Sequence, residues 1–321
     1  MTSSNLDKVR LHPRNKNRKR YDIHALTKEV PALKNHLNTS KAGAITINFS
    51  NPTAVKLLNK AILFHHYNLN YWEFPDENLC PPIPGRADYF HYMADLLGNS
   101  DGGKIPLGKK ISCLDIGVGA SCIYPIIGVR SYKWQFTGTD IDPKSIASSQ
   151  KIIDDNSILT NKIALQFQKK SNAIFMGIIK SEDKFDLTIC NPPFHSSAEQ
   201  AQKGASRKVK SLNRKRVKKP LLNFSGTSQE LIVEGGELKF IQQMINESQR
   251  FQNNVFWFSS LVSKQSNLSS IYKTLEKVGA KMHQTIPMGT GNKSTRIVAW
   301  TFLSSNAQKE WVDSKWYIDL I

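Results

Sequence analysis

Apolar residues recur every three or four positions in two segments of the first hundred residues, a spacing typical of amphipathic helices. The first segment, PTAVKLLNKAILFHHYNL, covers 52–69, and the second, ADYFHYMADLLG, covers 87–98 and ends at a glycine. Glycine is common where a helix stops. The sequence therefore predicts two accessory helices ahead of a larger unit.

From residue 111 onward, short apolar runs alternate with amphipathic segments. This alternation predicts an α/β fold, a doubly wound and mostly parallel sheet with helices on both faces. The predicted strands cover 111–118, 134–141, 162–168, 184–190, 253–262, 280–288 and 294–303. The predicted helices cover 120–132, 142–156, 235–251 and 267–280.

The expected organisation has three parts. A basic arm and the accessory helices occupy 1–100, the sheet domain occupies 101–303 with a basic insert at 199–220, and a tail occupies 304–321. No pattern in the tail favours a particular element.

Charge narrows the choice of partner. Lys and Arg total 44 against 26 Asp and Glu, a net charge of +18 over 321 residues. The excess is concentrated in two runs, with seven cations in 8–20 and eight in 207–219. Clustered cations indicate a nucleic-acid partner. The candidate phosphate-binding side chains are Arg14, Lys16, Arg18, Lys19, Arg20, Arg207, Lys208, Lys210, Arg214, Lys215 and Arg216.

We expect neither run to be ordered in the free protein. The first run is poor in apolar residues, so we expect an arm that orders only against its partner. The second is equally consistent with a solvated loop in the free protein.

The four cysteines form no CxxC pair and no metal-ligand spacing, which favours reduced thiols and no bound metal. The first residues lack the apolar core of a signal peptide, and no window reaches the length of a membrane span. We expect a cytoplasmic monomer that does not engage a membrane.

The stretch LDIGVGASCIYP, 114–125, follows a predicted strand and opens a helix. Glycines there let the backbone approach a ligand closely, and the amides of a helix start suit an anionic group. Asp140 ends the next strand, 23 residues beyond Gly117. A carboxylate in that position accepts hydrogen bonds from ribose hydroxyls in nucleoside-binding folds. Capping of the following helix is the alternative role for Asp140 and for the nearby Asp142. We assign helix capping to Asp142 and ribose binding to Asp140.

Asn191, Pro192, Pro193 and Phe194 follow the predicted strand FDLTIC and therefore lie at the carboxyl edge of the sheet, where open α/β folds bind ligands. An exocyclic amine conjugated to a purine needs acceptors that hold its N–H bonds. The Asn191 oxygen and the Pro192 carbonyl can accept them, because two prolines stiffen the turn. Phe194 offers a face for a stacked base. An ordinary turn is the alternative.

Three further residues near the accessory helices are ambiguous. Arg86 in PIPGRADY is equally suited to bind an anion of a ligand and to form a salt bridge at a helix start. Trp72 and Phe74 are aromatic neighbours of the basic regions, but packing is the favoured role for both.

These segments resemble a known family. LHPRNKNRKRYD, LCPPIPGRADY, LDIGVGASCIYPIIG, SNAIF, CNPPFH and LVSK are similar to the RlmF-like adenine-N6 methyltransferases of bacterial 23S ribosomal RNA and to their eukaryotic METTL-type relatives. The similarity runs from about residue 11 to 303. In GTDIDP, Asp140 stands where the eukaryotic relatives have Glu, and the carboxylate is preserved.

The resemblance implies a class I, Rossmann-like methyltransferase with a seven-stranded sheet whose last strand is antiparallel. It implies S-adenosyl-L-methionine as cofactor and large-subunit ribosomal RNA as partner, and it assigns residues 191–194 to the target base, with a residue of 171–172 near the cofactor's adenine. The predicted cofactor-binding residues are Arg86, Asp115, Gly117, Gly119, Ser121, Asp140, Ser171, Asn172 and Asn191.

Three other functions are consistent with similar features. Adenine methyltransferases of other RNAs or of DNA, and glutamine-N5 methyltransferases of proteins, have comparable Asn-Pro-Pro-aromatic sites. A catalytically silent RNA-binding assembly factor would retain the fold alone. Phe at position 194, the positive charge and the family resemblance favour RNA methylation.

Overall fold

The structure is a computed structural model that describes residues 11–19, 21–40, 43–194, 232–290 and 293–317. Within these ranges the helices are α1 Ile23–Glu29, α2 Pro52–Tyr67, α3 Ile83–Asn99, α4 Ile123–Tyr132, α5 Pro143–Asp154, α6 Gly236–Ser248, α7 Leu268–Lys277 and α8 Ser305–Trp311. The strands are β1 Leu37–Thr39, β2 Ile45–Ile47, β3 Ser112–Ile116, β4 Gln135–Asp140, β5 Ile163–Phe167, β6 Phe185–Cys190, β7 Val255–Val262, β8 Met282–Thr290 and β9 Lys293–Thr301.

The larger of the two sheets in the described part has the order β5-β4-β3-β6-β7-β9-β8. Strands β3 to β7 are parallel to one another, whereas β9 is antiparallel to both β7 and β8. The seven predicted strands and the single reversed strand are confirmed, with ends that differ by a few residues. None of the described helices is both long and apolar enough to cross a bilayer.

The accessory helices are confirmed with one change. Helix α2 begins where expected, because the side chain of Asn51 accepts a hydrogen bond from the Ala54 amide at 3.2 Å and Pro52 occupies the first turn. Helix α3 begins at Ile83, four residues earlier than predicted. Pro84 fits there because the first helical turn needs no N–H from it. Arg86 therefore lies on a helix and not in the preceding loop.

The expectation that the basic arm orders only against its partner is wrong for residues 11–19, which pack along α3. The His12 amide donates to Asp88 Oδ1 at 2.9 Å, and Asn15 Nδ2 donates to the Pro84 carbonyl at 2.8 Å. His12, Asn15 and Asn17 are buried. High charge content predicted disorder, but the polar residues between the cations find hydrogen-bond partners on the helix. Residues 8–10 and Arg20 lie outside the described residues.

Two of the predicted RNA-binding cations in the arm already contact the protein. The Arg14 guanidinium bonds to Asp95 Oδ1 at 2.6 Å and to the Tyr132 hydroxyl at 3.1 Å. Lys16 Nζ donates to the His66 carbonyl at 2.5 Å, near the end of α2. These side chains stabilise the arm, and RNA contact by them stays a prediction.

The tail, which carried no predicted element, forms α8 and one further turn over 312–316. It closes over Asp186, a carboxylate of β6 that is fully buried. The indole N–H groups of Trp311 and Trp316 each donate to Asp186 Oδ1 at 2.8 Å, and Lys315 pairs with Oδ2. A buried carboxylate needs such partners, because burial without them is costly.

Helix α4 lies close against the sheet at Gly128. A Cβ atom added there would lie only 2.5 Å from Cζ of Phe90 and closer still to Phe136. Phe90 belongs to α3 and Phe136 to β4, so this glycine sets the distance between the accessory helices and the sheet. Buried residues of both regions form one continuous core.

We expect Gly128→Ala to lower the free energy of unfolding by about 1–3 kcal/mol, because the added methyl group overpacks the core. Urea unfolding followed by circular dichroism measures the change. Adding Phe136→Leu to the variant should recover part of the loss, since the two sites are in contact. A Gly128→Ala protein as stable as the parent would contradict the close approach.

Candidate active site

A cleft opens at the carboxyl edge of β3, β4, β5 and β6. Several predicted site residues line it together: Arg86, Gly117, Gly119, Ser121, Asp140, Ser171, Asn191 and Pro193. Four others, Asp115, Asn172, Pro192 and Phe194, lie beside this lining and do not form part of it. Most of the predicted residues are therefore brought to one place from distant parts of the chain.

The turn after β3 has the backbone geometry that its glycines suggested. Gly117 and Gly119 have φ of +76° and +64°, values that favour glycine over other residues. A Cβ atom on Gly117 would meet nothing within 4 Å, so the backbone itself faces the cleft. The Gly117 amide donates to the Thr139 carbonyl at 2.9 Å, which ties the turn to β4.

Two acidic residues at the end of β4, Asp140 and Asp142, have different roles. Asp142 caps α5, accepting from the Lys144 amide at 3.0 Å, so the predicted capping role is confirmed. Asp140 Oδ2 accepts from the Gly119 amide at 2.9 Å, and Oδ1 accepts from the Asp142 amide at 2.9 Å. These bonds fix the Asp140 carboxylate at the rim of the cleft.

Asp115 lies directly behind the glycine turn and is 1% exposed. Neither carboxylate oxygen has a hydrogen-bond partner among the described residues. Burial raises the pKa of this carboxyl well above its ordinary value, the nearby Asp140 adds to the rise, and Arg86 opposes it. Both oxygens of this buried group remain available for a hydrogen bond.

Arg86 reaches across the cleft from α3. Its Nη1 atom donates to the Tyr124 hydroxyl and to Asn191 Oδ1, both at 3.0 Å. The guanidinium also lies over the Tyr124 ring, 5.6 Å from its centroid. Arg86 thus places a positive charge between the glycine turn and the residues after β6, which favours the ligand-facing interpretation.

Residues 191–194 leave the sheet at the end of β6, every residue of which is buried. Asn191 and Pro193 face the cleft, Pro192 is buried, and Phe194 is half-buried beside it. The packing role of Trp72 is confirmed, because it is fully buried and its indole N–H donates to the Ser121 carbonyl at 2.9 Å.

The loop after β5 is held by α6, a contact that sequence reasoning missed. Glu247 is 8% exposed, and its carboxylate accepts hydrogen bonds from the amides of Ile174, Phe175 and Met176 at 2.5–3.2 Å. Gln243, which lines the cleft, donates to the Asn172 carbonyl at 2.7 Å. The helical period placed these residues on α6, but no local signal links them to a loop some 70 residues earlier.

The predicted cations of the arm that the structure describes are all exposed, and the first two of them also contact the protein: Arg14, Lys16, Arg18 and Lys19. The basic insert, with Arg207, Lys208, Lys210, Arg214, Lys215 and Arg216, lies outside the described residues.

The topology and the cleft together define a class I methyltransferase fold. In this fold a glycine turn after one strand and an acidic residue at the end of the adjacent strand lie beside the residues that follow a third strand, here β6. Residues 6–304 match a family model described as RNA methyltransferase. The chain belongs to this family.

Relatives of known name and structure agree with that assignment. The chain is 54% identical over 305 residues to the ribosomal RNA large subunit methyltransferase F of Flavobacterium psychrophilum, covering 95% of this chain and 97% of that one. It is 50% identical to the protein of that name from Cytophaga hutchinsonii, with 96% of each chain covered.

Among solved structures, the catalytic domain of hMettl16 in complex with MAT2A 3′UTR hairpin 1 aligns with a TM-score of 0.76 at 27% identity, covering 92% of this chain and 96% of that one. The N-terminal domain of human METTL16 in complex with SAH aligns with a TM-score of 0.72 at 26% identity, covering 92% and 99%.

We expect Glu247→Gln to speed amide hydrogen exchange at residues 174–176 by about tenfold, the value of one lost hydrogen bond of about 1.4 kcal/mol. The amide replaces one acceptor oxygen with a donor that faces other donors. Exchange measured by mass spectrometry checks this. Glu276→Gln, an exposed glutamate of α7, is the control and should leave these amides unchanged. Equal exchange rates in both variants would contradict the conclusion that Glu247 holds this loop in place.

Proposed function

We propose that the protein transfers a methyl group from S-adenosyl-L-methionine to the N6 amine of an adenine in large-subunit ribosomal RNA. The observation that carries the proposal is the position of Asn191, Pro192, Pro193 and Phe194, which leave β6 beside the glycine turn of β3. The relatives named above as ribosomal RNA large subunit methyltransferases support the substrate.

The cleft fits the proposed cofactor. Arg86 and the amides at the start of α4 suit a carboxylate, and Asp115 retains two unpartnered oxygens behind the turn for a donor such as an amine. Asp140 suits the ribose hydroxyls, and Ile141, which is 42% exposed at the cleft, suits an apolar ring. When bound, this cofactor supplies a methyl group on a sulfonium, which is a good leaving group.

The residues after β6 contribute to the reaction by orienting the target amine. The Asn191 amide oxygen has two lone pairs, of which Arg86 uses one, so a second hydrogen bond from the target amine is possible. The Pro192 carbonyl supplies another acceptor, and the Phe194 ring supplies a stacking face. Holding the amine in one orientation removes much of the entropic barrier to transfer.

The RNA would reach the cleft along a positively charged surface. The net charge of +18 exceeds what solubility requires, and its two clusters lie in the arm and in the insert that follows residue 194. Exposed Arg18 and Lys19, with the insert, are the proposed phosphate contacts. Such contacts make affinity steeply salt-dependent.

We expect the purified protein to transfer label from S-adenosyl-L-methionine to the large ribosomal RNA of cells that lack this gene, with N6-methyladenosine found on nucleoside analysis. Asn191→Ala should lower kcat by about 100-fold, the effect of removing one preorganised hydrogen bond, while RNA binding persists. Label in DNA or protein but not RNA would favour an amine or amide substrate of another class. RNA binding without any transfer or cofactor binding would indicate a silent assembly factor.

Two glycine variants test cofactor binding, one in the proposed site and one control outside it. Gly117 and Gly279 have φ of +76° and +75°, and a Cβ atom on either meets nothing within 4 Å. We expect Gly117→Ala and Gly279→Ala to cost a similar stability, about 1 kcal/mol, because both force an L side chain into the left-handed region. Only Gly117→Ala should weaken S-adenosylhomocysteine binding measured by calorimetry. If both variants bind S-adenosylhomocysteine equally well, the turn at Gly117 does not belong to the cofactor site.

A further inference from the structure

Three hydroxyl side chains lie between β6 and β7, just before residue 191. Tyr89 reaches the gap from α3, Thr188 lies on β6, and Ser259 lies on β7. All three are fully buried. Buried hydroxyl groups without partners are costly, so their hydrogen bonds account for their presence there.

The hydroxyls replace ordinary strand pairing. Backbone pairing of β6 with β7 is found at Phe185 with Val255 and at Leu187 with Trp257. Beyond those pairs, the Ser259 amide donates to Thr188 Oγ1 at 3.2 Å, and Ser259 Oγ donates to the Thr188 carbonyl at 2.5 Å. Side-chain atoms thus bridge the two strands as they approach the cleft.

The Tyr89 hydroxyl extends this bridge to the last residue of β6. It lies 2.8 Å from Ser259 Oγ, and it accepts from the Cys190 amide at 3.3 Å. Ser259 donates its one proton to the Thr188 carbonyl, so Tyr89 donates in its 2.8 Å bond with Ser259. The Cys190 carbonyl lies farther from the phenol at 3.5 Å. The hydrogen bonds therefore run in one direction, from the Cys190 N–H through Tyr89 and Ser259 to the Thr188 carbonyl. Bonds aligned in this way strengthen one another.

Helix α3 consequently holds the site at two points. Arg86 and Tyr89 are three residues apart and share one face of the helix. Arg86 bonds to the side chain of Asn191, and Tyr89 bonds to the backbone of Cys190, the preceding residue. The Tyr89 ring packs edge-on against Tyr124, 5.5 Å between centroids, which limits its movement.

We infer that Tyr89 is a positioning residue for the reaction, which sets the backbone direction at Cys190 and so the orientation of Asn191 and the Pro192 carbonyl. This inference rests on the proposed function. The phenol is fully buried and does not line the cleft. Its effect passes through the peptide groups on either side of Cys190.

The test compares Tyr89→Phe with Tyr67→Phe. Tyr67 is 1% exposed, and its hydroxyl has no hydrogen-bond partner among the described residues, so it controls for loss of a buried phenol oxygen. We expect Tyr89→Phe to lower kcat for ribosomal RNA methylation about tenfold, the equivalent of one hydrogen bond of about 1.4 kcal/mol. S-adenosylhomocysteine affinity should not change, and Tyr67→Phe should retain full activity.

Ser259→Ala breaks the same chain of hydrogen bonds and provides the second variant if Tyr89→Phe does not fold. It should show the same loss in kcat, and the double variant should lose little more, because residues that act as one unit are not additive. If the wild type methylates RNA and Tyr89→Phe has the same kcat, the inference is wrong and the proposed function stands. The same conclusion follows if Tyr67→Phe loses as much activity as Tyr89→Phe. A wild type that methylates no RNA would overturn the proposed function and the inference with it.

Discussion

Parallel pairing of three central strands is the constraint on which the site depends. Ile116 of β3 is paired with Thr139 of β4 on one side and with Cys190 of β6 on the other. The residues that come next, Gly117, Asp140 and Asn191, therefore lie at one level on the same edge of the sheet. Parallel strands place their carboxyl ends together, so residues separated by long stretches of sequence become neighbours without any direct attraction between them.

Helix α3 connects that edge to the N-terminal segment. One face carries Arg86 and Tyr89, which contact the residues at the end of β6. Another carries Asp88 and Asp95, which bind His12 through its amide and its ring. A helix that is hydrogen-bonded on two faces has little freedom to rotate or slide, so the arm contributes to the rigidity of the site although it lies outside it.

The strands and most of the site were predictable because their signals are local. Buried strands are continuous apolar runs, a glycine turn follows one of them, and the Asn-Pro-Pro-Phe segment follows another. The fixed rules of parallel sheets then supply the assembly.

Other features depend on partners that no local pattern identifies. Whether a polar arm folds depends on whether each side chain finds a partner, and His12 and Asn15 find theirs some 70 to 83 residues away. Glu247 resembles any helical glutamate until its helix meets the loop at 174–176. The same holds for Tyr89, whose apolar ring predicts burial but whose hydroxyl partners come from two other elements.

The enclosure of Asp186 has a consequence for the order of synthesis. Its indole donors lie 125 and 130 residues later in the chain, close to the last described residue. β6 is therefore synthesised long before Trp311, Lys315 and Trp316, which bond to its buried carboxylate. The central strand of the sheet can reach its final state only after residue 316 has been synthesised, so β6 acquires its full stability well after its own synthesis.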